Sequence, residues 1–180
     1  SEEERSAMGR SVQASPDGQT SADEKMCLAL TAVERDPAAL AAARPQVEQK
    51  LKTDPKYVPA LMAAAALDVQ AGTKKEAVVR YERILEQFPD FAPAQKQLAL
   101  IYSEDPAQRD AAYDLAMKAR KGLPTDPEVV QLLGQLSYEK KDYARAVQLL
   151  QESERKRPLD AKCLYFLSIA CKESQHVAAA

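Results

Sequence analysis

The sequence contains no tryptophan, one histidine and only five glycines among its 180 residues. So few glycines exclude a turn-dense all-β fold. The histidine, His176, lies beyond the last strongly apolar segment and reads as a solvated terminal residue. No metal cluster, nucleophile–base arrangement or phosphate-cradling glycine loop is found, which argues against an enzyme and implies no cofactor. The three cysteines, Cys27, Cys163 and Cys171, form no CxxC. Cys163 and Cys171 stand roughly 12 Å apart along one helix, too far to bridge, so all three read as structural thiols. Long apolar runs are also missing. A stretch such as ALMAAAAL, residues 60–67, is too short to cross a membrane. Nor is there an excess of one charge: 25 basic and 27 acidic residues are interspersed, giving −2. That balance offers no footprint for nucleic acid or an anionic membrane.

Alanine dominates the 46 % of residues that are hydrophobic, and only 6 % are aromatic. Abundant Ala, Leu, Glu, Lys and Gln favour helix, so the chain reads as all-α. Its punctuation is periodic. Pro55, Pro89, Pro124 and Pro158 follow one another at 34, 35 and 34 residues. Ala43, Ala77, Ala112 and Ala146 keep the same beat, as do Leu30, Ala64, Leu98, Leu133 and Leu167. Three phased series indicate an internal repeat, and this period is that of a solenoid.

Residues 127–160 show the unit. Val129, Val130, Leu133 and Leu136 lie on one face of a first helix, Lys141–Asp142 form a tight turn, and Tyr143, Ala146, Val147 and Leu150 line a second helix. Arg155 to Arg157 suit its C-terminal turn, Pro158 ends it, and Asp160 is the N-cap of the next helix. Gly134, mid-helix, costs roughly 1 kcal/mol relative to Ala; its equivalents Thr31, Ala65, Ala99 and Ser168 are also small, which points to a close helix contact. Gly72 and Gly122 fall at helix ends, where backbone freedom accounts for them.

In these residues the chain resembles the tetratricopeptide repeat, a helix–turn–helix unit of about 34 residues. Val130, Leu133, Gly134, Ala146, Leu150, Ser153 and Pro158 match the family pattern, which usually has Trp in place of Val130 and Tyr in place of Ser137. Residues 58–91 match through Leu61, Ala64, Ala65, Gly72, Ala77, Tyr81, Ile84 and Pro89. Residues 92–126 carry one extra residue in the loop SEDPAQRD, and residues 24–57 are degenerate. Pro37 suits the first turn of a helix there, whereas Pro45 predicts a kink or a late start. The resemblance implies a right-handed α–α superhelix of about four repeats plus a C-terminal closing helix, residues 161–176, with a tail at 177–180. Residues 1–23 fall outside the phase and read as an extension or linker. In the closing helix Leu164, Leu167 and Cys171 are expected inward, leaving Tyr165, Phe166 and Ile169 partly bare. Caps of such arrays are ordinarily polar outside. Either the array continues in a longer chain, or a partner or a second copy covers this helix.

The resemblance also implies the function, a non-catalytic interaction module whose first helices line a groove for a peptide or a partner's helix. The face positions are Met62, Ala66 and Val69, then Lys96 and Leu100, then Gln131, Gln135 and Tyr138, and last Lys162, Tyr165 and Ile169. Gln and Tyr suit adaptable hydrogen bonding to a peptide. A clamp for the terminal carboxylate of chaperone tails is disfavoured, because Ala32, Ala66, Gln97 and Leu132 stand where the family uses Asn or Arg. The alternatives are a regulatory region of a larger enzyme, such as a glycosyltransferase or kinase, and self-association through Tyr165, Phe166 and Ile169. The helix AAYDLAMKARKGLP after a lengthened acidic loop is similar to bacterial multi-repeat proteins of envelope and secretion systems, which leaves the compartment, cytoplasmic or periplasmic, open.

Overall fold

The computed structural model describes the backbone of residues 37–179 and the side chains of residues 42–174. The extension 1–23, the first helix of residues 24–57 with Cys27, Leu30 and Ala32, and the His176 side chain lie outside the described residues. Every element in the described residues is helical. The helices are α1 (Pro37–Thr53), α2 (Val58–Gln70), α3 (Lys74–Gln87), α4 (Ala92–Tyr102), α5 (Arg109–Gly122), α6 (Pro127–Glu139), α7 (Tyr143–Glu154) and α8 (Ala161–Ala179), with a 3-10 turn at Pro106–Gln108. Contacts divide the chain into two units, residues 1–80 and 81–180.

In the first unit α1 packs on α2. Val47 meets Ala60, Ala63, Ala64 and Leu67, with Ala43, Leu51 and Tyr57 around them. Helix α1 begins at Pro37 and runs through Pro45, so the late start does not occur. Pro37 has the φ of a first helical turn and lacks an N–H that would be unpaired there; Pro45 interrupts the ladder from an exposed position. Gly72 follows α2 at φ +78, the left-handed conformation that ends helices most easily with glycine. Asp68, buried at the end of α2, then accepts from Arg80 Nε at 2.6 Å.

In the second unit the helices pair as α4 with α5 and α6 with α7, and α8 closes on α7. Ala112, Ala116 and Ala119 make one fully buried stripe along α5, sharing a core with Ala99, Val130, Leu133, Leu136 and Leu149. Alanine's small volume permits close approach, which is why so few aromatic residues suffice. The extra residue of 92–126 is taken up in the 3-10 turn, whose N-cap Asp105 accepts from the Ala107 amide. Asp126 caps α6, Asp142 caps α7, and Asp160 accepts from the Cys163 amide at 2.7 Å.

The glycines separate into two kinds. A Cβ on Gly134 would come 2.8 Å from Leu150 Cγ and Cδ2 and 3.3 Å from Leu149 Cβ. Gly134 therefore admits α7 to α6, and the side chains against it are Leu150 and Leu149. Gly122 has no positive φ; a Cβ there would lie 2.6 Å from Ala92 Cβ, so close approach rather than backbone freedom accounts for it. The left-handed residue of the second unit is instead Lys141, at φ 63.

Helix α8 differs from the sequence expectation in register and length. Its buried residues are Cys163 and Ala170, with Phe166 and Leu167 packed against Leu150 and Leu159, while Leu164 is 47 % exposed. Leu164 occupies the row that, in α6, faces the second helix of its own pair. The helix continues to Ala179, past residue 176, because QHVAAA contains good helix formers and no breaker.

Gly134→Ala should lower stability by about 1 kcal/mol, since overpacking against Leu150 outweighs the gain in helix propensity. Lys141→Gly should raise it by about 1 kcal/mol by relieving the left-handed φ. Denaturant midpoints of the two variants, moving in opposite directions, check both.

Candidate functional site

On α2, Met62 and Ala66 are half-buried and Val69 is exposed. They form an apolar face of the first unit. In the second unit the face positions behave differently from one another, and the difference decides which of them are free for a partner.

Lys96 is 7 % exposed. Its ammonium sits 2.9 Å from Asp126 Oδ2 and 2.6 Å from Glu128 Oε2. Asp126 Oδ1 meanwhile accepts from the Glu128 and Val129 amides at the start of α6. One carboxylate thus caps one first helix and ties the preceding one to it. The next pair repeats the device: Gln131 Nε2 donates to Asp160 Oδ2 at 2.9 Å, while Asp160 Oδ1 caps α8. Lys96 and Gln131 stand at equivalent positions and spend their polar ends on the cap of the next first helix, Lys96 in a buried contact and Gln131 in an exposed one. Burial depresses the Lys96 pKa, but the hydrogen bonds and charges of Glu128 and Asp126 outweigh it and leave it raised. Burial likewise raises Asp126, and the Lys96 ammonium with the two capping amides more than reverses this, holding the carboxyl below its usual range. The Cys163 amide, outweighing partial burial, lowers Asp160 as well. Burial, with Asp160 beside it, pushes the Cys163 thiol up to about 11, so it remains protonated and unreactive at neutral pH.

Further along the face the groups are open. Tyr138 stacks on Phe166 with ring centroids 4.4 Å apart and meets Tyr143 edge-on at 5.8 Å. Tyr165, 59 % exposed, stands 6.1 Å from Phe166. The Lys162 ammonium lies 5.4 Å over the Phe166 ring. Ile169 and Leu100 are half-buried, and Gln135 donates to Glu139, which pairs with Arg109 at 2.9 Å. Tyr138, Tyr165 and Lys162 are therefore brought together around one ring. The sequence offers that ring, Phe166, as a partly bare residue of the closing helix and as part of a self-association surface, but not among the groove residues. Its signal was available: it stands 34 residues after Leu132, which is buried, and so occupies an inward-leaning position beside Tyr165.

The second-helix side offers less. An open cleft of about 480 Å³ is lined by Arg120, Asp142, Arg145 and Gln148, but Arg120 is matched by Glu152 at 2.8 Å and Arg145 leans on Met117 and Tyr113. No group of His, Cys, Asp and Glu among the described residues could hold a metal ion, and no described helix is long and apolar enough to cross a membrane.

The helical architecture is shared with solved structures. PilF of Pseudomonas aeruginosa superposes with a TM-score of 0.67 at 19 % identity, over 86 % of this chain and 69 % of that one. A thermophilic tetratricopeptide-repeat protein of Thermus thermophilus superposes at 0.60 and 17 % identity, over 86 % and 83 %. The chain has the tetratricopeptide-repeat fold. PilW, a type IV pilus biogenesis factor, shares this fold with a TM-score of 0.64 and 17 % identity over 88 % of this chain and 78 % of its own. No protein-family model and no curated protein matches the sequence. Within the repeat fold the face residues divide into those that join one repeat to the next, Lys96 and Gln131, and those that surround Phe166.

Lys96→Met should cost about 2 kcal/mol, as it leaves Asp126 and Glu128 without their shared cation. Asp126 and Asp160 ionise more readily in the fold than in the unfolded chain, so their stabilisation is complete above about pH 4 and lost as pH falls through the lowered values. Urea midpoints measured downward from pH 6 should fall through this window. Asp126→Asn should flatten the fall; an unchanged acid limb would place the dependence on other carboxylates.

Proposed function

We propose that the chain is a non-catalytic protein-interaction module that holds a peptide or a partner's helix on its first-helix face. The repeat units that go with this reading are 24–57, 58–91, 92–126 and 127–160, closed by the helix from residue 161. The observation that carries it is the open ring cluster of Tyr138, Phe166 and Tyr165, edged by Lys162. Three contiguous aromatic rings at a surface offer large, rigid contact area with little conformational entropy to lose, and Tyr hydroxyls supply adaptable hydrogen bonds. Gln135, Ile169 and Leu100 extend this surface, and in the first unit Met62, Ala66 and Val69 offer an apolar face of their own. Lys96 and Gln131 serve the surface indirectly, by fixing how successive first helices are spaced. PilW, which shares the fold, is a type IV pilus biogenesis factor, and this accords with a scaffold.

Peptides selected from a displayed library against the 180-residue chain should lose at least tenfold in affinity with Tyr138→Ala, equivalent to about 1.4 kcal/mol. Tyr165→Ala should weaken them similarly, with helical circular dichroism unchanged in both. Equal affinity for wild type and both variants would reject the face.

A further inference from the structure

A second surface, adjoining the ring cluster at Tyr165, is left open by α8. In each earlier first helix one row of side chains is sealed: Leu61 and Ala65 on α2, Gln95 and Ala99 on α4, Val130, Gly134 and Ser137 on α6 are all buried. On α4 and α6 the cover is the second helix of the same pair. Ala99 shares its core with Ala112 and Ala116 of α5, and Gly134 lies against Leu149 and Leu150 of α7. The equivalent row on α8 is Leu164, Ser168 and Cys171, at the i, i+4 and i+7 spacing of one helix face. Leu164 is 47 % exposed, Ser168 is exposed and Cys171 half-buried.

The row is also prepared for burial. Ser168 is small, as Ala65, Ala99 and Gly134 are, and its hydroxyl already donates to the Tyr165 carbonyl at 2.8 Å. Covering it therefore strands no donor. Leu164 and Tyr165 are adjacent exposed large apolar residues, whereas Val69, Val79 and Phe88 stand singly.

We propose that the Leu164–Ser168–Cys171 row is the docking site for an amphipathic helix of a separate polypeptide. The helix has the chemistry of α7: a small residue, leucines three and four positions on, and a small residue at seven, as in Ala146, Leu149, Leu150 and Ser153. That chemistry follows from the interface the row continues, in which α7 covers the equivalent row of α6. Among the described residues, the second helices that follow α4 and α6 are not free for it. Residues 1–23 hold no leucine or isoleucine, and α5 and α7 are already seated on α4 and α6. A second copy has its own equivalents engaged in the same way.

The test uses the 180-residue chain and a fluorescein-labelled synthetic peptide of residues 142–157, followed by anisotropy and circular dichroism. Saturable binding with a gain in helicity is expected, weakened at least tenfold by Leu164→Asp and by Ser168→Arg and unchanged by Tyr138→Ala. Thermal melts confirm that both variants, made at exposed positions, remain folded. Absence of binding, or binding that survives both α8 substitutions, overturns the proposal. So does loss on Tyr138→Ala alone, which would seat the peptide on the ring cluster. Sedimentation without peptide decides the remaining occupant: a dimer abolished by Leu164→Asp would give the row to a second copy and overturn the separate helix.

Discussion

Asp126 makes two commitments with one carboxylate. One oxygen satisfies amides at the start of α6, and the other takes the ammonium of Lys96 from the helix before. A helix start is a place of unpaired donors, and a carboxylate there is favoured by the helix dipole as well as by the hydrogen bonds. Joining the cap to a buried cation converts that local preference into a long-range restraint. Asp160 does the same with Gln131, an uncharged partner at the equivalent place. Apolar packing then fills the space these contacts define, with Ala99, Ala112, Ala116 and Gly134 setting how near the helices come.

This arrangement explains why the candidate binding surface is uneven. A solenoid that uses one face both to join its repeats and to meet a partner must divide the positions between the two tasks. Lys96 and Gln131 are consumed by the first. At α8 the same position carries Tyr165, which has no following cap to reach among the described residues and stands open beside Phe166. The surface becomes more aromatic where the joining task ends.

Much of the fold was legible because a repeat reports each feature several times. The phased prolines located helix ends, the N-cap at Asp160 followed from its place before an apolar run, and Gly134 was read correctly as a contact. What was misread concerned relations that one position does not encode. Lys96 looks like any surface lysine until its carboxylates, 30 and 32 residues later, are brought to it. Leu164 looks inward because its equivalents are inward, and only the absence of a covering helix among the described residues turns it out. Gly122 and Lys141 exchange the roles their identities suggest: the glycine is there for proximity, and the lysine adopts the left-handed backbone. The groove residues were chosen by phase alone, which finds a face but cannot separate its joining members from its open ones.

The 3-10 turn at Pro106–Gln108 has a further consequence. Lys96 reaches its cap across 30 residues and Gln131 reaches its own across 29, and the difference is the residue this turn absorbs. Spatial phase is thus set by contact between side chains rather than by counting along the chain. Loop-closure entropy rises only slowly with length, so this exposed connection is free to vary while the caps are not. Evolution, or an engineer seeking a place for an epitope or a reporter, can lengthen the chain here and leave the spacing of the helices untouched.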